Sequence, residues 1–281
     1  MNTRILLISA VICGSVRGAA AAQCCLRGDL NRDLSINQLD VPIFVGGVLN
    51  PASLTPPQLC PADVNGDSAI DGRDIERFVE YVLDPSLALF DYGPPLPDAE
   101  AEQIALEFLG PGGPLLPSAA IYSRVDRDLD LIRAHTPALA SETNTPAWVS
   151  NQLIAAVTIG MPHDEYNCLN AYYRLTSEEF LCCGNIYVLT FAGNSNVEAL
   201  AVIYDAAPEV EFAEPNGLVG GQNFWTPSDL GGGVWQWTVD DGFFDCFDGC
   251  DCHRFYTFNV DAGGTVTLVD YQEFGQPWCR F

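Results

Sequence analysis

Two twelve-residue stretches, DLNRDLSINQLD at 29–40 and DVNGDSAIDGRD at 63–74, place Asp or Asn at the same five positions. A Ca²⁺ ion takes about six to eight oxygen ligands, and a short loop can supply them from side chains at positions 1, 3, 5, 9 and 12 and a backbone carbonyl at position 7. The repeat therefore predicts two calcium sites. Their predicted ligands are Asp29, Asn31, Asp33, Ser35, Asn37 and Asp40 in the first loop, and Asp63, Asn65, Asp67, Ala69, Asp71 and Asp74 in the second.

The repeat continues past the loops, where VPIFVGGVLNP and IERFVEYVLDP share Phe44/Phe78 and four further positions up to Pro51/Pro85. Phe and the residues four and five later lie on one helical face, so each loop should lead into an amphipathic helix that proline stops. An apolar residue at position 8, Ile36 or Ile70, should point inward and pair the loops. Two acidic turns with solvated carboxylates are the alternative, but they would not require matching helices.

Paired loop–helix units that close on Asp rather than Glu resemble the type I dockerin family, over residues 24–85. The resemblance implies a small α-helical, EF-hand-like module that binds calcium and docks onto a cohesin module. Position 6, normally Gly, is Leu34 in the first loop and Ser68 in the second, which should cost about 1 kcal/mol each. Loop positions 10 and 11, where cohesins read Ser/Thr, are Gln38-Leu39 and Gly72-Arg73. Dockerin-like repeats also occur in secreted proteins outside cellulosomes.

The N-terminus has the pattern of a secretory signal peptide over residues 1–22, with an apolar run followed by small residues up to Ala22. The ten cysteines beyond it suit disulfides in an oxidising compartment, and Cys24 or Cys25 could join Cys60 across the two loop entrances. The formal net charge of −25 disfavours nucleic acid and anionic membranes as partners. No later stretch is apolar enough for membrane insertion. We expect a secreted, extracellular or periplasmic protein.

The middle of the chain predicts a change of architecture after the calcium-loop domain at 23–85. Proline-rich residues 86–97 are typical of a linker, and 98–145 should be a helical connector with one helix capped by Asp98 and another capped by Ser123. Residues 146–222 alternate in the order βαββαβ, which predicts a ferredoxin-like plait of four antiparallel strands and two helices.

Within that segment, PEVEFAEPN and QLIAAV resemble the propeptide domain of secreted subtilisin-type proteases, chiefly over residues 210–216. Those domains chaperone and inhibit their protease by laying the C-terminal tail into the substrate cleft. No subtilisin catalytic segment follows, so the resemblance implies action on a protease in trans or a generic binding module.

Residues 223–281 predict an antiparallel β-meander built from VWQWTV, RFYTFNV and TVTLVDY. Its aromatic residues are expected to form the core of the sheet rather than to stack on sugars. Cys246, Cys250, Cys252 and His253 could form a zinc site, but disulfides are the favoured interpretation in an exported chain.

Taken together, the predicted elements indicate an α+β multidomain protein. No constellation of catalytic residues is present in the sequence, so we expect that the protein is not an enzyme. The predicted function is protein attachment through the calcium loops, in a polysaccharide-degrading or cell-surface assembly. Its partner would be a cohesin-like module or, alternatively, a subtilisin-type protease that the plait inhibits.

Overall fold

A computed structural model describes residues 26–160, 162–218, 220–221, 223–244, 246 and 250–279. They fall into two compact units. The first comprises residues up to Gly93 together with Ile154–Ala192 and Val202–Ala213, and the second comprises Pro94–Leu153, Gly193–Ala201 and the chain from Glu214 onwards. The predicted signal peptide and Cys24 and Cys25 lie outside the described residues. Cys60 itself is in a disulfide bond.

The N-terminal module contains helices α1 (Val41–Leu49), α2 (Pro56–Ala62) and α3 (Asp74–Leu83). α1 and α3 are the two helices predicted after the loops, and each ends two residues before a proline that begins a 3₁₀ turn. α2 was not predicted, although its capping box is visible in the sequence, since Thr55 and Gln58 exchange side-chain and backbone contacts at its start. The second calcium loop therefore has an entering helix.

The core of this module repeats the symmetry of the sequence. Phe44 of α1 and Phe78 of α3 stack with ring centroids 3.8 Å apart and an interplanar angle of 16°. Ile36 is buried in the same cluster, and Ile70 packs against it. The two equivalent rings and the two position-8 residues thus join the repeats in one apolar cluster. The inward position of Ile36 and Ile70 was predicted, whereas the stacking of the rings was not.

Residues 86–97, predicted to be a linker, begin within a 3₁₀ turn at Pro85–Ala88. The backbone N–H of Phe90 donates to the carbonyl oxygen of Tyr172 at 2.9 Å, and the hydroxyl of Tyr92 donates to the carbonyl oxygen of Tyr173 at 2.7 Å. These bonds tie the start of the stretch to helix α6 (Asp164–Tyr172) and the residue after it, inside the first unit. The predicted domain boundaries stay a prediction.

The second unit contains the two predicted connector helices, α4 (Ala99–Leu109) and α5 (Ala119–His135). Asp98 caps α4 as predicted, with its carboxylate accepting from the N–H of Ala101. The predicted cap Ser123 is wrong, because Ser118 caps α5 and the helix begins five residues earlier than expected. Small apolar residues directly after Ser118 let the helix extend toward its N-terminus.

A four-stranded sheet in the order β2-β3-β1-β4 follows, with α6 between β1 and β2 and helix α7 (Val197–Asp205) between β3 and β4. All of these elements were predicted in this sequence order. The strands are β1 (Trp148–Val157), β2 (Leu175–Cys182), β3 (Ile186–Phe191) and β4 (Val210–Gly217).

The C-terminal sheet has the order β5-β6-β7-β8, with every neighbouring pair antiparallel. Its first strand was missed, because Pro227 within NFWTPSDLG argues against a strand; at a sheet edge, however, a residue without an N–H is tolerated. Trp237 and Phe258 are fully buried, which confirms that these aromatics form the core. The strands are β5 (Asn223–Gly231), β6 (Val234–Phe243), β7 (Cys252–Val260) and β8 (Val266–Gly275).

The described residues form helices and two antiparallel sheets, so the predicted α+β class is confirmed. Within the described residues, no helix is both long and apolar enough to cross a bilayer.

Candidate calcium loops and docking groove

The first residue of each acidic loop organises the backbone of that loop. The carboxylate of Asp29 accepts from the N–H groups of Asp33 at 3.2 Å and Leu34 at 2.9 Å. In the second loop the carboxylate of Asp63 accepts from Gly66 at 2.9 Å and Ser68 at 3.0 Å. The backbone after position 1 therefore turns around each carboxylate. This turn brings the side chains at later positions of the loop toward position 1.

The last residue of each loop closes it back onto the start. Asp40 accepts from the N–H groups of Leu30, Asn31 and Asn37 at 2.8 to 3.0 Å. Asp74 accepts from the equivalent residues Asn65 and Asp71 at 3.0 and 2.9 Å. Both carboxylates are 0% exposed. Because only the side chain of position 12 bridges both ends of the loop, Asp40 and Asp74 hold the predicted ligand positions in a closed ring.

Between these ends, side-chain oxygens accept from the N–H two residues later, at 2.8 to 3.0 Å. Such turns keep the chain tightly coiled and orient side-chain oxygens toward the loop. The residues that form these turns are at positions 3, 5 and 9 of both loops, and they are Asn31, Asp33, Asn37, Asn65, Asp67 and Asp71.

Position 6 has left-handed backbone in both loops, with φ of 65° at Leu34 and 68° at Ser68. This is the conformation in which glycine carries no steric penalty, whereas a side chain with a Cβ is strained. Position 4 is also left-handed, at Arg32 with φ 62° and at Gly66 with φ 80°. The loops thus keep the sharp turn of a calcium loop even though neither has Gly at position 6, and the first loop has no glycine at either strained position.

The electrostatics of the first loop favour a cation. Burial raises the pKa of the Asp29 carboxyl, and the negative charge of Asp40 raises it further, while N–H donors led by that of Leu34 lower it. Among the described residues, no three His, Cys, Asp or Glu side chains form a metal-binding cluster. The predicted donor set of each loop includes at least three Asp side chains, and in this structure these carboxylates accept backbone N–H groups instead of converging on one point. All of its donors are oxygens, which fits Ca²⁺.

The second loop carries a cation of its own at position 11. The guanidinium of Arg73 lies 3.2 Å from a carboxylate oxygen of Asp67 and 3.9 Å from one of Asp71. Two of the predicted ligands therefore have a competing positive partner. The first loop has Leu39 at the same position, where no charge is available.

A groove of about 290 Å³ runs between α1 and α3. Leu49 and Leu83, at the ends of the two helices, are 81% and 80% exposed. Equivalent positions of the repeat line both walls, so the groove has the same twofold pattern as the loops. Every lining residue is apolar, namely Val41, Phe44, Val45, Val48 and Leu49 from α1 and Ile75, Phe78, Val79, Val82 and Leu83 from α3.

The cysteine cluster of the C-terminal sheet forms disulfides, Cys246–Cys250 and Cys252–Cys279. This geometry is compatible with the disulfides favoured from the sequence, and sulfurs in disulfides are not thiolate ligands. His253 pairs instead with a carboxylate oxygen of Asp240 at 2.7 Å and with the carbonyl oxygen of Cys250 at 2.8 Å.

Two closed acidic loops, each followed by a helix and joined through stacked phenylalanines, define a paired EF-hand-like calcium module. Residues 27–84 match the family model of the dockerin type I domain, which confirms the resemblance predicted from the loops. Dockerin domains bind calcium and attach to a protein partner, and they are non-catalytic. Neither the curated proteins nor the solved structures searched contain a match to the chain.

Sequence reasoning identified the loop residues but not the groove. The shared residues Phe44/Phe78, Val48/Val82 and Leu49/Leu83 were interpreted as one face of each amphipathic helix. The shared apolar pattern could have suggested a docking surface, because the two helices bury Phe44 and Phe78 against each other and leave several of these residues exposed.

Proposed function

We propose that this chain is a secreted, calcium-dependent attachment protein that docks a protein partner in the groove between α1 and α3. The groove carries the proposal, because ten apolar residues from two related helices line it and Leu49 and Leu83 are almost fully exposed there. Contiguous exposed apolar surface on a soluble module marks an interaction site. The partner we propose is a cohesin-like module, in a polysaccharide-degrading or cell-surface assembly.

In this proposal each loop holds one Ca²⁺. The ion would be bound by side-chain oxygens at positions 1, 3, 5, 9 and 12 and by the backbone carbonyl of Ser35 or Ala69 at position 7. A bound ion neutralises the acidic side chains of each loop. Because α1 and α3 begin directly after the loops, calcium would fix the start of both groove walls.

The test is binding of a recombinant cohesin module to the full chain by calorimetry, with calcium and with excess chelator. We expect binding only with calcium, and at least tenfold weaker binding for Leu49→Asp and for Leu83→Asp. Leu230→Asp is the matched control, because Leu230 is an exposed leucine on β5, outside the groove. Equal binding by all three variants would show that the groove is not the docking surface.

The segment from β1 to β4 is proposed to be a ferredoxin-like plait, which its βαββαβ order and its strand order β2-β3-β1-β4 support. Inhibition of a subtilisin-type protease stays a prediction based on resemblance alone. It is tested by adding the full chain to a subtilisin, where no inhibition at micromolar excess would remove it.

A further inference from the structure

Two consecutive cysteines, Cys182 and Cys183, lie at the turn of the β2–β3 hairpin. Cys182 ends β2 and pairs with Ile186 at the start of β3. Cys183 has φ 63° and Gly184 has φ 90°, so the chain reverses through two left-handed residues directly after Cys182. Cys183 is exposed and Cys182 is partly exposed. A tight turn thus presents two neighbouring thiols at the surface.

The two sulfur atoms lie 2.7 Å apart. A disulfide bond is about 2.0 Å long, so the two sulfur atoms are close to bonding distance. In a regular strand, adjacent side chains point to opposite faces and their sulfur atoms would lie farther apart. The left-handed backbone at Cys183 breaks the alternation of the strand and turns its side chain toward that of Cys182. Neither cysteine belongs to the disulfides of the C-terminal sheet, which join Cys246 to Cys250 and Cys252 to Cys279.

We propose that Cys182 and Cys183 are a redox-active pair that small-molecule disulfides convert to a disulfide between adjacent residues. The exposed thiolate of Cys183 attacks the disulfide of oxidised glutathione, forming a mixed disulfide and expelling one glutathione thiolate. The thiolate of Cys182 then attacks the sulfur of Cys183 and expels the second glutathione. The protein loses two electrons and two protons, and one glutathione disulfide becomes two thiols.

The chain offers a clean readout of this reaction. Cleavage after Glu179 and Glu198 releases residues 180–198, a peptide in which Cys182 and Cys183 are the only cysteines. The full-length protein is reduced mildly, transferred into oxidised glutathione, alkylated, cleaved and weighed. We expect the wild-type peptide to lose two hydrogens and to carry neither glutathione nor alkyl groups. Cys182→Ser should retain one glutathione on Cys183, because the resolving thiol is missing.

Glutathione retained on the wild-type peptide, alkylation of both cysteines, or linkage of either cysteine to another peptide would each overturn the proposal. A second measurement does not depend on a variant. The reduced wild-type protein should bind one phenylarsine oxide, which bridges closely spaced thiols, and should thereby be protected from alkylation at both positions. Failure of phenylarsine oxide to protect the pair would likewise overturn the proposal.

Discussion

Three aspartates, Asp40, Asp74 and Asp128, are each 0% exposed, yet their partners differ completely. Asp128 of α5 accepts from Arg124 at 2.7 Å, from Arg127 at 2.8 Å and from the indole N–H of Trp237 at 3.1 Å. Asp40 and Asp74, which close the two acidic loops, accept only backbone N–H groups in the part of the chain that the structure describes.

The difference separates two uses of a buried carboxylate. A buried charge is tolerated when it is paired, and Asp128 has two guanidinium groups from its own helix. Those arginines also donate to backbone carbonyls at the end of β7 and just after it, Arg124 to Val260 and Arg127 to Ala262. The carboxylate therefore orients two side chains that link α5 to the C-terminal sheet. Asp40 and Asp74 belong to loops rich in acidic side chains instead, and under the proposed function a bound Ca²⁺ balances each set.

The largest loss of stability is expected for Asp128, whose charged partners belong to the protein itself. Asp128→Ala should lower the free energy of unfolding by about 3 to 5 kcal/mol, because it leaves two buried or half-buried guanidinium groups without their carboxylate. Urea denaturation measures this loss, which should be the same with calcium and with chelator. Asp130→Ala, at an exposed position of the same helix, is the control and should change stability by less than about 0.5 kcal/mol. A loss that depends on calcium would break the distinction.

Another buried carboxyl sharpens the comparison, since Glu165 of α6 is also shielded from solvent. Burial raises the pKa of Glu165 to about 8, with the charges of Cys168 and Glu209 raising it further and that of Arg32 lowering it. Because the pKa of Glu165 is higher in the folded protein, its contribution to stability is fully present below the unfolded pKa near 4.5. That contribution is lost as the pH rises through the folded pKa of about 8. Ionisation of this carboxyl should cost on the order of 5 kcal/mol.

Glu165→Gln should therefore remove part of the decline in stability between pH 5 and pH 8.5, measured by urea denaturation in saturating calcium. Glu179→Gln, at an exposed position of β2, is the matched control and should leave the slope unchanged. If wild type and Glu165→Gln lose stability equally over this range, Glu165 is ionised in the folded protein at pH 8.5 as readily as in the unfolded chain.

Unlike Asp128, the loop aspartates should contribute stability that depends on calcium. Calcium at a hundredfold excess over its dissociation constant should stabilise the wild-type module by about 2.7 kcal/mol per site. Asp40→Ala and Asp74→Ala should each remove the contribution of one loop, read as the shift in melting temperature between calcium and chelator. Asp84→Ala, just after α3 and outside both loops, is the control. An undiminished shift in both loop variants would show that these residues are not ligands.

The sequence predicted the repeated module in detail because every loop position has a chemical requirement that only a few residues meet. Asp98 and the alternating strands were predictable for the same local reasons. The start of α5, the edge strand β5 and the groove depend on tertiary context: Pro227 fits a strand only at a sheet edge, and exposed Leu49 and Leu83 line a groove only because Phe44 and Phe78 bring their helices together. Local pattern does not contain these contacts.

The smallest effect distinguishes the two loops from each other. Leu34 has a left-handed backbone that costs roughly 1 to 2 kcal/mol, and glycine would lose part of that gain through its greater freedom in the unfolded chain. Leu34→Gly should therefore raise the free energy of unfolding by about 0.5 to 1 kcal/mol and tighten calcium binding several-fold. Leu39→Gly, at an exposed position of the same loop without positive φ, should instead be neutral or destabilising. Equal destabilisation by both glycine variants would mean that the turn at position 6 carries no strain. The backbone conformation of Leu34 would then have no effect on the calcium affinity of the first loop.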